Sequence, residues 1–125
     1  MGIRLSPILW KRLALAYFLM TTILLLWSGN ALPKTNLITI PFFDKIIHLI
    51  LFALLSALFL KAYPSSQKYW KAKILVCIIL YGILIEFVQL YLVPFRSFEI
   101  VDILADSLGA LSGLILVRRL TKYSI

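Results

Sequence analysis

Three of the five carboxylates in this 125-residue chain, Glu99, Asp102 and Asp106, lie within the run FEIVDILAD. Their spacing is i, i+3, i+7, which on a helix forms a single stripe. Asp44 and His48 stand at i, i+4 with Lys45 between them, and Glu86 and Gln89 at i, i+3. His48 is the only histidine. Such a set could do three kinds of chemistry. Lys45, His48 and Arg96 could contact a phosphate, Arg as a bidentate fork and Lys as a point charge, while Glu86, Gln89 and Asp102 orient them or bind sugar hydroxyls. His48, Glu86, Asp102 and Asp106 could instead ligate a divalent metal that activates water or a lipid phosphate, with Arg96 stabilising developing charge. In the third case His48 acts as a general base oriented by an acid. A lone histidine argues against zinc and leaves an oxygen-rich magnesium or calcium site. The chain has no HExxH, no nucleophile elbow and no glycine-rich phosphate loop. The residues therefore do not choose between binding and catalysis, and they assign no cofactor.

These groups must be positioned by elements unlike those of a soluble domain. The chain is 62% hydrophobic and 14% charged, with a mean hydropathy of +1.00. Long, nearly uncharged runs point to membrane helices of about 20 residues. The expected architecture is all-α: one polytopic domain over 1–125 with four transmembrane helices, spanning about 13–32, 46–63, 74–93 and 100–117. Charge distribution orients it. Arg4, Lys11, Arg12, Lys61, Lys68, Lys71, Lys73, Arg118, Arg119 and Lys122 share one side of such a bundle, and only Lys34, Lys45 and Arg96 fall on the other. Basic residues mark the cytoplasmic side, so both termini are expected there. The net charge of +8 is then an orientation signal. It is not a nucleic-acid footprint, because no aromatic-basic patch accompanies it. The N-terminal charges, the apolar run and the small residues at 29–31 also resemble a signal peptide. The large residues of the run and the spans that follow favour an uncleaved first helix. Cys77 reads as a packing residue.

On this topology Asp44, Lys45, His48, Glu86, Gln89, Arg96, Glu99, Asp102 and Asp106 occupy one layer near the outer face. Glu86 and Asp106 lie roughly 10 Å below the surface at 1.5 Å of rise per residue. The acidic stripe of the last helix continues as Ala105, Gly109 and Gly113, small residues that let a neighbouring helix approach closely. The acids should therefore face the bundle. An ionised Asp at a membrane midplane costs about 2.5–3.5 kcal/mol, so buried acids need partners, and intramembrane ionisable groups read as a functional site. The competing reading is interhelical glue, with Asp44 as a helix cap and Glu99 as first-turn charge. Oligomerisation is left open.

DKIIH at 44–48, EFVQ at 86–89 and R-x-x-E-x-x-D-x-x-A-D-x-x-G-x-x-x-G from Arg96 to Gly113 together resemble the VanZ-like family of bacterial membrane proteins, which implies a multi-pass protein of the bacterial inner membrane. The resemblance runs from about Trp27 to Val117. Its characteristic positions fall on Asp44, Lys45, His48, Glu86, Gln89, Arg96, Asp102, Asp106 and Gly109. Two positions depart from the pattern: Asp106 stands where Asn is common, and Phe52 where Tyr is. The family takes its name from a member linked to low-level teicoplanin resistance. The resemblance thus implies an outer-leaflet site for a lipid-linked cell-wall precursor or another envelope glycolipid, among ordinary membrane lipids, and a link to that resistance.

Overall fold

The computed structural model describes residues 4–27, 43–93 and 98–122. Every element among them is helical: α1 Pro7–Leu26, α2 Phe43–Ala62, α3 Trp70–Leu92 and α4 Ile100–Lys122. With 20 to 23 residues each, the helices are about 30–35 Å long. All four are long and apolar enough to cross a membrane. Large apolar side chains such as Leu15, Leu19, Ile50, Leu84, Leu104 and Leu108 cover the outside. In water such a surface would aggregate, whereas against lipid it is the matching solvent.

The helices start earlier than the charge-free runs suggest. α1 begins at Pro7, not Leu13, because Ser6 caps it: its Oγ accepts the Leu9 N–H at 3.2 Å, and proline at the first position loses no needed donor. α4 continues past Val117 to Lys122. A charge ends the hydrocarbon zone but does not break a hydrogen-bond ladder, so helix and span differ by a turn at the basic ends. α1 ends at Leu26, and the remainder of its expected span, 28–32, lies outside the described residues.

The central pair is α2 and α4. α1 packs on α2 and α3, and α3 on α4 and α2, while α1 and α4 lie apart. Glycine dictates the intimacy of the central pair. A Cβ at Gly109 would collide with the backbone carbonyl oxygen of Leu49, and one at Gly113 with Ser56 Oγ and the Ala53 carbonyl. Ser56 Oγ in turn donates to the Ala110 carbonyl at 2.8 Å across the seam. Lipid supplies no hydrophobic drive between helices, so close backbone packing of this kind does the work. The expected packing stripe is the buried face of α4: Asp102, Ala105, Asp106, Gly109, Ala110, Gly113 and Val117.

Candidate functional site

The start of α2, the end of α3 and the start of α4 meet at one end of the bundle. Lys45 and His48 stand one turn apart on α2 and face α4. Lys45 Nζ is held by Asp44 Oδ2 at 2.7 Å, by Asp102 Oδ1 at 2.7 Å and by Glu99 Oε2. Deeper, His48 Nδ1 lies 2.8 Å from Asp106 Oδ1. A carboxylate accepts, so this contact places a proton on Nδ1, and in the neutral imidazole Nε2 then carries the lone pair. That nitrogen faces Asp102, with Oδ2 4.0 Å away, too far for a hydrogen bond.

Glu86 approaches from α3. Its Oε2 accepts the backbone N–H of Glu99 at 3.2 Å. That amide immediately precedes α4, where helix donors lack intrahelical partners and a negative charge is favoured. Asp102 lies three residues further on, where a capping side chain would normally reach back to this amide. Because Glu86 takes that role, Asp102 is free to face Lys45 and His48. Glu86 is fully buried, and its Oε1 has no hydrogen-bond partner; nor has the buried Asp106 Oδ2. α3 reaches this close because position 82 carries no side chain. A Cβ at Gly82 would sit 3.0 Å from Asp106 Oδ2 and 3.2 Å from the Phe52 ring.

Exposure is graded along the site. Asp44 is 60% and Glu99 43% exposed by side chain, whereas His48, Glu86, Asp102 and Asp106 are buried. The cluster therefore has a rim and a floor. Phe52, one turn below His48, closes the floor and stacks on Tyr81 with ring centroids 5.7 Å apart. Beyond it the polar groups are uncharged. Tyr17 Oη donates to the Leu51 carbonyl at 3.0 Å, and Tyr81 Oη and Thr22 Oγ1 share a hydrogen bond of 2.6 Å. A cavity of about 320 Å³ lies among Phe18, Leu55, Phe59, Ile74, Ile78 and Tyr81, with Lys73 at its edge. It is apolar and sits on the far side of Tyr81 from the acids, a place for hydrocarbon and not for this chemistry.

Asp44, Lys45, His48, Glu86, Asp102 and Asp106 thus come together with Glu99. Gln89 goes elsewhere: its Nε2 donates to the Leu25 carbonyl at 2.6 Å and ties the last turn of α1 to α3. Asp44 lies inside the first turn of α2, which starts at Phe43, so it is not the residue preceding that helix. Arg96 lies outside the described residues. Tyr91 is exposed and walls nothing among them. Sequence reasoning passed over Gly82, although it stands one turn before Glu86 on the same stripe of α3.

A family model described as VanZ/LLP1 matches residues 5–121. An uncharacterized protein of Schizosaccharomyces pombe is 33% identical over 109 residues, covering 85% of this chain and 63% of its own length. This chain therefore spans less than two thirds of that relative. No solved structure matches.

Proposed function

The chain belongs to the VanZ/LLP1 family of multi-pass membrane proteins, and from the site we propose that it receives the polar head of an amphiphile at the end of the bundle where α2 and α4 begin. The observation that carries this is the pair of unpartnered oxygens on buried acids, Glu86 Oε1 and Asp106 Oδ2, beneath an exposed acidic rim. Polar groups serving only as glue would be satisfied by one another, since an unsatisfied one costs about 1–3 kcal/mol. A rim open at the membrane surface above unsatisfied acceptors suits a ligand that brings donors.

The donors in question are hydroxyl, ammonium or metal-bound groups. Lys45 is already engaged by three carboxylates and His48 by Asp106. Arg96, the third phosphate contact expected from the sequence, lies outside the described residues. The basic residues beyond the opposite ends of the helices support an outer-leaflet location with both termini cytoplasmic. A lipid-linked wall precursor is the ligand that fits a bacterial setting, and teicoplanin resistance would follow from handling it. The unpartnered acceptors fit a broader class too, amphiphiles with hydroxyl-rich or cationic heads.

Native mass spectrometry of the protein in mild detergent, wild type beside Asp102→Asn, tests this. A co-purifying amphiphile present in the wild type and lost in a folded variant is the expected result. A wild type with no retained amphiphile, and a variant that is merely less stable, would return the cluster to structural glue.

A further inference from the structure

Two groups of three donors share Asp102. Asp44, Glu99 and Asp102 converge on one point, as do His48, Glu86 and Asp102, whose candidate ligand atoms all lie within 4.8 Å of one another. The first group is filled by the chain's own cation, the ammonium of Lys45. The second, with the imidazole neutral and the acids ionised, offers three acceptors: the Nε2 lone pair of His48 and two carboxylates. One of these, Glu86, is fully buried, with Oε1 unpartnered. Acceptors that converge in a buried place need a shared proton or a cation between them.

We propose that His48, Glu86 and Asp102 bind a divalent metal ion. The 4.0 Å between His48 Nε2 and Asp102 Oδ2 matches two donors on either side of one ion at metal–ligand distances of about 2.0–2.3 Å. Charge points the same way: the five acids Asp44, Glu86, Glu99, Asp102 and Asp106 share a single ammonium, that of Lys45, among the described residues, which favours an added cation. Asp106 is then the residue that orients the histidine: by accepting from Nδ1 it fixes the tautomer that presents Nε2, the carboxylate–imidazole–metal arrangement common in metal sites. One imidazole with two carboxylates suits Mn²⁺ better than a thiolate-type zinc site. Three protein donors also leave coordination positions for an outside ligand. The ion site stands apart from the head-group reading, since an ion could be held with or without an amphiphile.

The test uses the full chain in mild detergent, stripped with chelator and titrated with Mn²⁺. Loss of the free-ion electron paramagnetic resonance signal reports binding, and elemental analysis after dialysis gives stoichiometry; Zn²⁺, Mg²⁺ and Ca²⁺ are run in parallel. We expect one ion per chain. Affinity should fall at least ~100-fold in Glu86→Gln and His48→Gln, and roughly 10-fold in Asp106→Asn, the range for residues that orient a ligand. Ser112→Ala, whose exposed hydroxyl bonds only its own helix, should bind as the wild type does. Helicity and a monodisperse elution profile are checked for each variant. A wild type that takes up none of the four ions overturns the proposal, and this holds even if the variants fail to fold. So does stoichiometric binding that survives both Glu86→Gln and His48→Gln. Mass spectrometry of the same samples separates the two readings. An amphiphile retained without metal overturns the ion site alone, and an ion bound without amphiphile supports it while removing the head-group reading.

Discussion

The two triads that share Asp102 differ in one respect. The rim triad of Asp44, Glu99 and Asp102 is closed by Lys45, two residues of it half-exposed. The inner triad of His48, Glu86 and Asp102 is buried and has no ammonium or guanidinium in it among the described residues. The rim triad surrounds its counter-ion, whereas the inner triad meets that same ammonium through Asp102 alone, and no ion pair of Glu86 is found among the described residues. Desolvation penalties alone would produce the reverse arrangement. The comparison supports the proposal that the inner acids meet something from outside the chain, because apolar residues of similar size would serve stability as well or better.

The comparison can be broken most severely at the seam that carries both triads. Gly109→Leu forces a side chain against the Leu49 carbonyl, a backbone atom that cannot swing aside. Overpacking of this kind costs about 1–3 kcal/mol or more. We expect loss of the monodisperse species in size-exclusion chromatography, with both triads lost together. Next comes Lys45→Met, which turns the closed triad into an open one. Removing one partner of a buried ion pair costs about 3–5 kcal/mol. Lys45 and the rim acids retain some exposure, so the expected loss is nearer 2 kcal/mol. Thermal unfolding should show it, and added divalent cation should restore part of it, whereas the inner triad's variants should not respond. Gln89→Leu removes the bond to the Leu25 carbonyl. About 1 kcal/mol is the expected cost, read as faster amide exchange near the end of α1 with little change at α2 and α4. The smallest effect belongs to Asp44→Asn. An exposed ion pair is worth under about 1 kcal/mol, and high salt should erase the difference from wild type. A large, salt-independent loss there would mean that the rim is not the solvated half of the pair.

Much of this was legible in the residues. The i, i+3, i+7 spacing of Glu99, Asp102 and Asp106 with Gly109 and Gly113 placed the acidic and packing faces of α4 on one stripe, and burial follows that stripe. The layer shared by Asp44, Lys45, His48, Glu86 and Asp102 followed from helix rise alone. Partners between helices were not legible, because they depend on rotation and depth. Nothing in EFVQ says that Glu86 reaches an amide before α4 while Gln89, one turn on, reaches back to α1. Gly82 was missed for a related reason. Its role appears only when the Asp106 carboxylate and the Phe52 ring are found against it. At the basic side the starts of α1 and α3 and the end of α4 reach beyond the expected spans because charge marks the membrane boundary and hydrogen bonding marks the helix.

Gly109 and Gly113 have a further meaning for assembly. A small-residue stripe on a membrane helix is commonly read as a seam for self-association. Here both glycines are buried against α2 of the same chain, whose carbonyls occupy the groove. The motif is spent within the monomer. A second copy of the chain finds no glycine groove on α4, only the branched aliphatic ridge of Leu104, Leu108, Leu111 and Ile115. Side chains of that kind are as well solvated by acyl tails as by one another. The glycine stripe of α4 is therefore not available to a second copy while α2 covers it.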